Sequence, residues 1–167
     1  MPILSDMARE AKKKFFLASL PLDVKILEIG CGTGWVGEYL RGRGFTAYVG
    51  VDINPPADIV GDIRKWRELG LEPESFDVIV AFEVVEHVHC FQECFDLLKP
   101  GGCLMLTSPV PCMDWMCKII EVCNLTQRRT SPHDMLIDFR KIPLFGLMKL
   151  KRVGLISQWG IFRKPGK

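Results

Sequence analysis

The sequence predicts an α/β protein with a doubly wound, mostly parallel sheet of about six strands. Continuous apolar runs of four to seven residues recur along the first 109 residues and alternate with segments of helical pattern. Such runs are typical of parallel strands whose sheet is covered by helices on both faces. A glycine-rich turn follows the first run, at the end of the strand where doubly wound sheets bind their ligands.

The chain is expected to begin with a helix within residues 1–22, from Ser5 to about Ala18. The stretch "AKKKFFLASLPL" resembles a signal peptide, because lysines precede a short apolar segment. Cleavage there would remove the lead-in to the first strand, so we interpret it as helix.

Residues 23–109 are predicted to form the cofactor-binding core of the sheet. The predicted strands are "VKILEI", "AYVGVD", the short "ADIV", "FDVIVAF" and "GCLMLTS". Helices are expected from Trp35 to about Arg43 and over "HCFQECFDLL". The i, i+3, i+4, i+7 spacing on the second helix marks a core face, occupied by Phe91, Cys94, Phe95 and Leu98.

The pattern changes after Pro109. Residues 110–140 combine the apolar "CMDWMCKIIEVCNL" with the polar "TQRRTSPHD" and are expected to form a lid-like insert. Residues 141–167 are expected to hold a helix and a sixth strand, "VGLISQWGIF". Because few residues follow that strand, a seventh is expected to be short or missing. The uncovered sheet edge would favour a homodimer.

Composition indicates one soluble-type domain of 167 residues, 48% apolar and 25% charged. No apolar run approaches the ~20 residues of a membrane-spanning helix. The seven cysteines form no C-x-x-C pair, so neither a metal site nor a disulfide framework is expected. Scattered cysteines in apolar segments fit a reducing, cytoplasmic location.

Charge is unevenly distributed along the chain. From Asn124 onward ten Lys and Arg face two acids, a balance of +8, which leaves −6 on the first 123 residues. These cations are either solvated surface charges or a surface for an anionic acceptor or a membrane. Nucleic acid is the less favoured partner.

The glycine turn matches the dinucleotide fingerprint G-x-G-x-x-G through Gly32, Gly34 and Gly37, with Asp52 about 20 residues on. In that motif, however, the first glycine makes the turn directly off the strand, and Gly30 holds that position here. The chain also leaves no separate substrate domain for a nicotinamide dehydrogenase.

The pattern in register with the strand is instead Glu28-x-Gly30-x-Gly32-x-Gly34. Gly37 then lies within the following helix, where we expect it to permit close packing of helix against strand.

The stretch "LEIGCGTG" resembles the first motif of class I S-adenosylmethionine-dependent methyltransferases. Four further stretches follow in that family's order and spacing: "VGVDI", "GDI", "FDVIVAFEVVEHV" and "LKPGGCLMLTSP". Together they cover about Lys25 to Pro109. The resemblance implies a Rossmann-like methyltransferase fold that binds S-adenosyl-L-methionine and releases S-adenosyl-L-homocysteine.

The implied cofactor has a zwitterionic methionine end, a ribose with two vicinal hydroxyls and an adenine, but no pyrophosphate. Glycines at three alternate positions let the backbone approach it without Cβ clashes. Asp52, at the tip of the second strand, can accept hydrogen bonds from both ribose hydroxyls.

By resemblance, Asp62 or Ile63 would lie at the adenine, and Phe82 and Glu83 near the methionine end. The full implied binding set is Glu28, Gly30, Cys31, Gly32, Gly34, Asp52, Ile53, Asp62, Ile63, Phe82 and Glu83. Two alternatives stay open: Glu28 either contacts the cofactor or orients the loop, and Asp62 either contacts it or caps "IRKWREL".

Methyl transfer is a displacement at an activated carbon, so a base is needed only when the acceptor holds its proton tightly. The candidates are His87 and Glu86 in "EHV" and His133 in the insert. In small-molecule members of the family, a histidine in "EHV" is common without being catalytic. His89 is expected at the surface.

The acceptor is expected to be a small molecule, because an apolar insert suits a partly apolar substrate and no "N-P-P-Y"-type tetrapeptide follows the fourth strand. The alternatives are a methyltransferase acting on RNA or protein, favoured by the basic C-terminal third, and an inactive cofactor-binding module. The intact glycine loop and Asp52 argue against the inactive module.

Overall fold

A computed structural model of the protein describes residues 3–110, 137–154 and 156–166. Its strands are β1 (Ile26–Ile29), β2 (Tyr48–Asp52), β3 (Ile59–Val60), β4 (Phe76–Phe82), β5 (Leu98–Pro109), β6 (Gly146–Val153) and β7 (Ser157–Arg163). Its α-helices are α1 (Ile3–Lys12), which a π-helical turn extends over Lys13–Leu17, α2 (Trp35–Gly42) and α3 (Phe91–Leu97). Short 3₁₀ turns cover Ile63–Lys65 and Phe139–Lys141.

The seven strands form one sheet in the order β3-β2-β1-β4-β5-β7-β6. The first five pair in parallel, and β7 lies antiparallel between β5 and β6. The predicted doubly wound fold is therefore confirmed. Because β1 pairs with β2 on one side and β4 on the other, the strand order reverses at β1, and a crevice opens at its carboxyl end.

Each face of the sheet carries its own apolar core, as continuous apolar strands require. On one face, Phe16 and Leu17 after α1 pack with Leu40 of α2 and Trp159 of β7. On the other face, Leu97 of α3 belongs to the same core as Ile63 and Phe139 of the 3₁₀ turns. The expected core face of α3 is buried at Phe91, Cys94 and Leu98 and partly buried at Phe95, although Leu98 already belongs to β5.

The expected C-terminal helix is wrong, and a seventh strand, expected to be short or missing, is present at full length. Pro143 and Gly146 end any helix, and the alternation after them is that of a strand: Leu150 packs against the core, whereas Lys149 and Lys151 are exposed. This β6 pairs along its length with β7, which spans seven residues. The stretch predicted as the sixth strand is thus the seventh.

Most of the predicted insert, residues 111–136, lies outside the described residues. Of the helices in the described ranges, none combines the length and the apolar character that crossing a bilayer would require.

Candidate functional site

A cavity of about 410 Å³ opens at the carboxyl ends of β1, β2 and β4, where the strand order reverses. Its volume lies within the range of small-molecule sites in proteins. The lining residues are Ile29, Gly30, Val51, Asp52, Ile53, Asn54, Gly61, Asp62, Ile63, Arg64, Glu83, Val84, His87 and Val88. Six of the predicted cofactor-binding residues are among them, and so is one of the three candidate bases, His87.

Gly30 lines the cavity next to β1, whereas Gly32 and Gly34 follow it in the glycine loop outside the lining. Gly30, Gly32 and Gly34 all have positive φ, at 71°, 50° and 76°. A Cβ on Gly30 would come within 2.4 Å of the Val84 side chain. A Cβ on Gly32 or Gly34 would meet nothing within 4 Å, so these two glycines leave open space above the loop.

Asp52 ties the glycine loop to the loop after β2. Its Oδ2 accepts a hydrogen bond from the Gly32 backbone N–H at 2.9 Å, and its Oδ1 accepts one from the Asn54 N–H at 3.0 Å. An ionised carboxylate has about four acceptor positions. Two acceptor positions therefore remain for a ligand in the cavity.

The far end of the cavity combines apolar side chains with one carboxylate. Ile53 is 70% exposed, whereas Ile63 is buried. Asp62 caps the 3₁₀ turn by accepting from the Arg64 N–H, and it also pairs with the Arg64 guanidinium. These bonds, chiefly that of the guanidinium, lower the pKa of Asp62. Asp62 therefore caps the 3₁₀ turn, which was one of its two expected roles. It also lines the cavity, so contact with a ligand stays open to it.

Glu28 faces away from the cavity. It is buried, and its carboxyl accepts a hydrogen bond from the Tyr48 hydroxyl beneath the loop. Burial raises the pKa of Glu28 to about 8. A Cβ on Gly37 or Gly50 would come within 3 Å of Tyr48, so both glycines make room for that ring. This geometry favours the loop-orienting alternative for Glu28, and Gly37 does permit helix–strand packing.

Two further members of the predicted binding set lie behind the cavity wall. Cys31 is buried, with its Sγ 3.9 Å from the Pro56 carbonyl oxygen, and desolvation raises the pKa of its thiol to about 11. Phe82 stacks on Trp35 with ring centroids 6.0 Å apart. Neither side chain lines the cavity.

Glu83 reaches the cavity from the end of β4 with a positive φ of 56°. Its Oε1 accepts hydrogen bonds from Lys12 Nζ at 2.9 Å and from Thr107 Oγ1 at 2.8 Å. Desolvation opposes its ionisation, but the Lys12 ammonium and these bonds outweigh it, so the pKa of Glu83 is lowered. Strained non-glycine backbone is concentrated at functional sites, and Glu83 combines such strain with a fixed carboxylate.

The candidate bases differ in their position. His87 lines the cavity on the turn after β4, where its backbone N–H donates a hydrogen bond to the Val84 carbonyl at 2.8 Å. The neighbouring Glu86 is buried, and desolvation, with the charge of Glu83, raises its pKa. His133 lies outside the described residues. The described residues contain no group of three or more His, Cys, Asp or Glu that could hold a metal ion.

Sequence reasoning missed two residues that shape this site. Lys12 reaches Glu83 across 71 residues, and Tyr48 reaches Glu28 across 20. The Tyr48 contact had a signal in the sequence, because a residue with a polar hydroxyl opens an apolar strand two residues before Gly50. The Lys12 contact had none, since one lysine in a run of three looks like the others.

Comparison with known proteins agrees with this geometry. A family model described as "Methyltransferase domain" matches residues 4–153. The mitochondrial ubiquinone biosynthesis O-methyltransferase of Rattus norvegicus is 40% identical over 108 residues, which are 51% of this chain and 30% of the relative. The ubiquinone biosynthesis O-methyltransferase of Pseudomonas fluorescens (strain SBW25) is 31% identical over 96 residues, 47% of this chain and 41% of the relative.

The chain therefore spans less than half the length of the curated relatives it matches. In the solved structure of a SAM-dependent methyltransferase from Methanosarcina mazei, the same fold covers 90% of this chain and 96% of that chain, with a TM-score of 0.64 at 18% identity. The family model covers most of the described sheet and both sides of the cavity. The chain belongs to the methyltransferase domain family.

Proposed function

We propose that the protein transfers the methyl group of S-adenosyl-L-methionine to a small-molecule acceptor. The observation that carries the proposal is the pairing of Asp52 with the glycine loop. A carboxylate with two free acceptor positions stands beside two glycines whose missing side chains leave open space. A ligand with vicinal hydroxyls that lies along a backbone fits this arrangement.

The remaining cavity residues fit the other parts of that cofactor. Exposed Ile53 and buried Ile63 offer apolar contact to a flat ring at one end, beside the Asp62 carboxylate. At the other end, the fixed negative charge of Glu83 suits the ammonium of the methionine part. No arginine or lysine cluster for a pyrophosphate lines the described cavity, where Arg64 is the single cation.

The bound cofactor supplies an electrophilic methyl group on a sulfonium, so the protein has to position the acceptor and exclude water. In the described residues, His87 is the candidate to take a proton from an acceptor hydroxyl, because it lines the cavity close in sequence to Glu83. Lys12 fixes α1 against the end of β4 through its 2.9 Å contact with Glu83.

A small-molecule acceptor is supported by the names of the curated relatives, both ubiquinone biosynthesis O-methyltransferases. We extend this to an acceptor that is partly apolar or anionic, in keeping with the basic C-terminal third. The thiols of Cys31, Cys90, Cys94 and Cys103 are free, which supports a reducing, cytoplasmic location. The homodimer expected from the sequence remains a prediction, which sedimentation analysis of the molecular mass in solution would test.

Calorimetric titration with S-adenosylhomocysteine and with NAD tests the cofactor directly. We expect micromolar affinity for the first, about −8 kcal/mol, and no heat from the second. A screen of phenols, catechols and carboxylic acids with methyl-labelled cofactor then tests transfer. Binding of NAD with indifference to S-adenosylhomocysteine would contradict the proposal, and cofactor binding without transfer to any acceptor would favour the inactive module.

A further inference from the structure

One edge of the sheet, formed by β6 and the turn before it, exposes both apolar and cationic side chains, and we call it the edge strip. Its apolar part is Leu144, Leu147 and Met148, which are 44%, 42% and 55% exposed. Its cationic part is Lys149, Lys151 and Arg152, all exposed on β6. Three of the seven exposed large apolar side chains in the described ranges thus lie within five residues.

The fold does not require apolar side chains here. Leu144 has a φ of 71°, a left-handed conformation that costs a non-glycine residue about 1–2 kcal/mol. Glycine would relieve this strain, and the leucine side chain gains little burial in return. Met148 lies at a bulge, where the pairing with β7 shifts between Leu147 and Lys149, so it is left without a cross-strand partner.

The cations of the strip are not neutralised within the described protein. Lys149 Nζ lies 4.6 Å and Lys151 Nζ 5.5 Å from the centroid of the same Phe15 ring, which keeps two like charges close together. The described carboxylates form no ion pair with either lysine or with Arg152. The nearest acid in sequence, Asp138, pairs with Arg140 at 3.7 Å instead.

We propose that the edge strip docks the protein on an anionic phospholipid bilayer. Cations without an ion pair gain energy near anionic headgroups, and side chains such as leucine and methionine gain energy by entering the acyl boundary. If β6 exposed only its lysines, they could be explained as charges that keep this edge strand from pairing with a strand of another molecule. That explanation does not account for the exposed Leu144, Leu147 and Met148.

Two other occupants fit less well. A second copy paired along β6 would place Lys149, Lys151 and Arg152 of each chain against those of the other. A nucleic acid would use the cations, but the apolar part of the strip would add nothing to contacts with phosphate or base edges.

The direction of β6 relates the edge strip to the cavity. β6 runs parallel to β5, since β7 is antiparallel to both. The carboxyl end of β6 therefore lies at the same end of the sheet as the cavity, whereas the apolar part of the strip lies at the amino end of β6. The docking itself does not depend on the proposed methyl transfer, because it is measured without cofactor or acceptor.

The test is sedimentation of the protein with vesicles of phosphatidylcholine, with and without phosphatidylglycerol. We expect binding to the anionic vesicles that weakens as salt rises from about 0.1 M to 1 M and the screening length falls from ~10 Å to ~3 Å. Each cation near such a surface contributes about fivefold in affinity. The double variant Lys149→Gln, Lys151→Gln should therefore bind about 25-fold more weakly.

A matched control removes the same charge at the opposite edge. Lys65 and Arg67 are exposed and follow the edge strand β3, so Lys65→Gln with Arg67→Gln should leave vesicle binding within about twofold if the strip is the contact. The variant Leu144→Ser, Met148→Ser should weaken the binding that persists at high salt. Thermal unfolding of all variants checks that they fold.

Three results would overturn the proposal. Wild-type protein could ignore anionic vesicles, or the control could weaken binding as much as the strip variant does. A dimer in sedimentation velocity that the strip variants dissociate would assign the strip to a second copy. Selective loss of vesicle binding in both strip variants, with S-adenosylhomocysteine binding unchanged, would support it.

Discussion

Replacing Asp52 with alanine should weaken cofactor binding without unfolding the protein. In the structure, each carboxylate oxygen accepts one backbone hydrogen bond, from Gly32 at 2.9 Å and from Asn54 at 3.0 Å. The acceptor positions left over are those we assign to the two ribose hydroxyls. The substitution removes both sets of hydrogen bonds at once.

The two losses differ in size. A hydrogen bond to a charged acceptor contributes about 1.5–3 kcal/mol, and water in the open cavity can replace part of it. A net loss of about one such bond raises the dissociation constant about 10- to 100-fold, since 1.4 kcal/mol is tenfold. The N–H of exposed Gly32 can turn to water, so the free energy of unfolding should fall by no more than about 1 kcal/mol.

Asp58 provides a matched control. The Asp58 carboxylate accepts a hydrogen bond at 2.8 Å from the backbone N–H of Gly50, which lies on β2 as Asp52 does, and it forms an ion pair with Arg41. Unlike Asp52, Asp58 does not line the cavity. Calorimetry with S-adenosylhomocysteine should therefore show unchanged affinity for Asp58→Ala and a 10- to 100-fold loss for Asp52→Ala. Equal affinities for Asp52→Ala and wild type would refute the assignment of the ribose to β2.

Three further outcomes are expected. Gly32→Val should abolish S-adenosylhomocysteine binding in calorimetry, because its side chain would fill the open space above the loop at a φ of 50°; retained affinity would mean that the cofactor lies elsewhere. Tyr48→Phe should lower the free energy of unfolding in urea by about 1–3 kcal/mol, since it leaves the buried Glu28 carboxyl without its donor; an unchanged midpoint would contradict the supporting role of this pair. The free energy of unfolding should fall as pH rises from about 5 to about 8, because native Glu28, with its pKa raised to about 8, keeps a proton that the unfolded chain releases above its ordinary value of 4.5. Buried Glu86 acts in the same direction, and each group contributes at most about 1.4 kcal/mol per pH unit. Glu28→Gln should reduce this slope, and an identical slope in that variant would show that Glu28 is ionised in the native protein.

Some residues of the candidate site could be predicted from the sequence of a single strand and the turn that follows it. Gly30, Gly32 and Gly34 were predictable because a backbone with positive φ beside a ligand excludes other residues. Asp52 was predictable because a strand tip at the reversal of strand order points into the crevice. In both cases the reason is local to one strand and its following turn. The structure places Gly30 and Asp52 in the wall of the cavity, with Gly32 bound to Asp52.

The role of Glu28 was not predictable in the same way. It belongs to the same short motif, yet the direction of its side chain depends on Tyr48, which comes from another strand and fits only because Gly37 and Gly50 are small. Likewise, Lys12 meets Glu83 only after α1 packs on the sheet. Such contacts depend on how elements far apart in sequence are brought together.

The sequence by itself determined the first five strands in their order along the chain, the glycine loop and the carboxylate at the tip of the second strand, because apolar runs and backbone sterics act over a few residues. Only the tertiary structure decided the identity of β6. Its alternation of Leu150 with Lys149 and Lys151 is broken at Met148, and Pro143 and Gly146 end a helix without specifying a strand after it. A segment with so mixed a pattern becomes a strand because β7 offers it an edge to pair with, and that edge exists only once the sheet has formed.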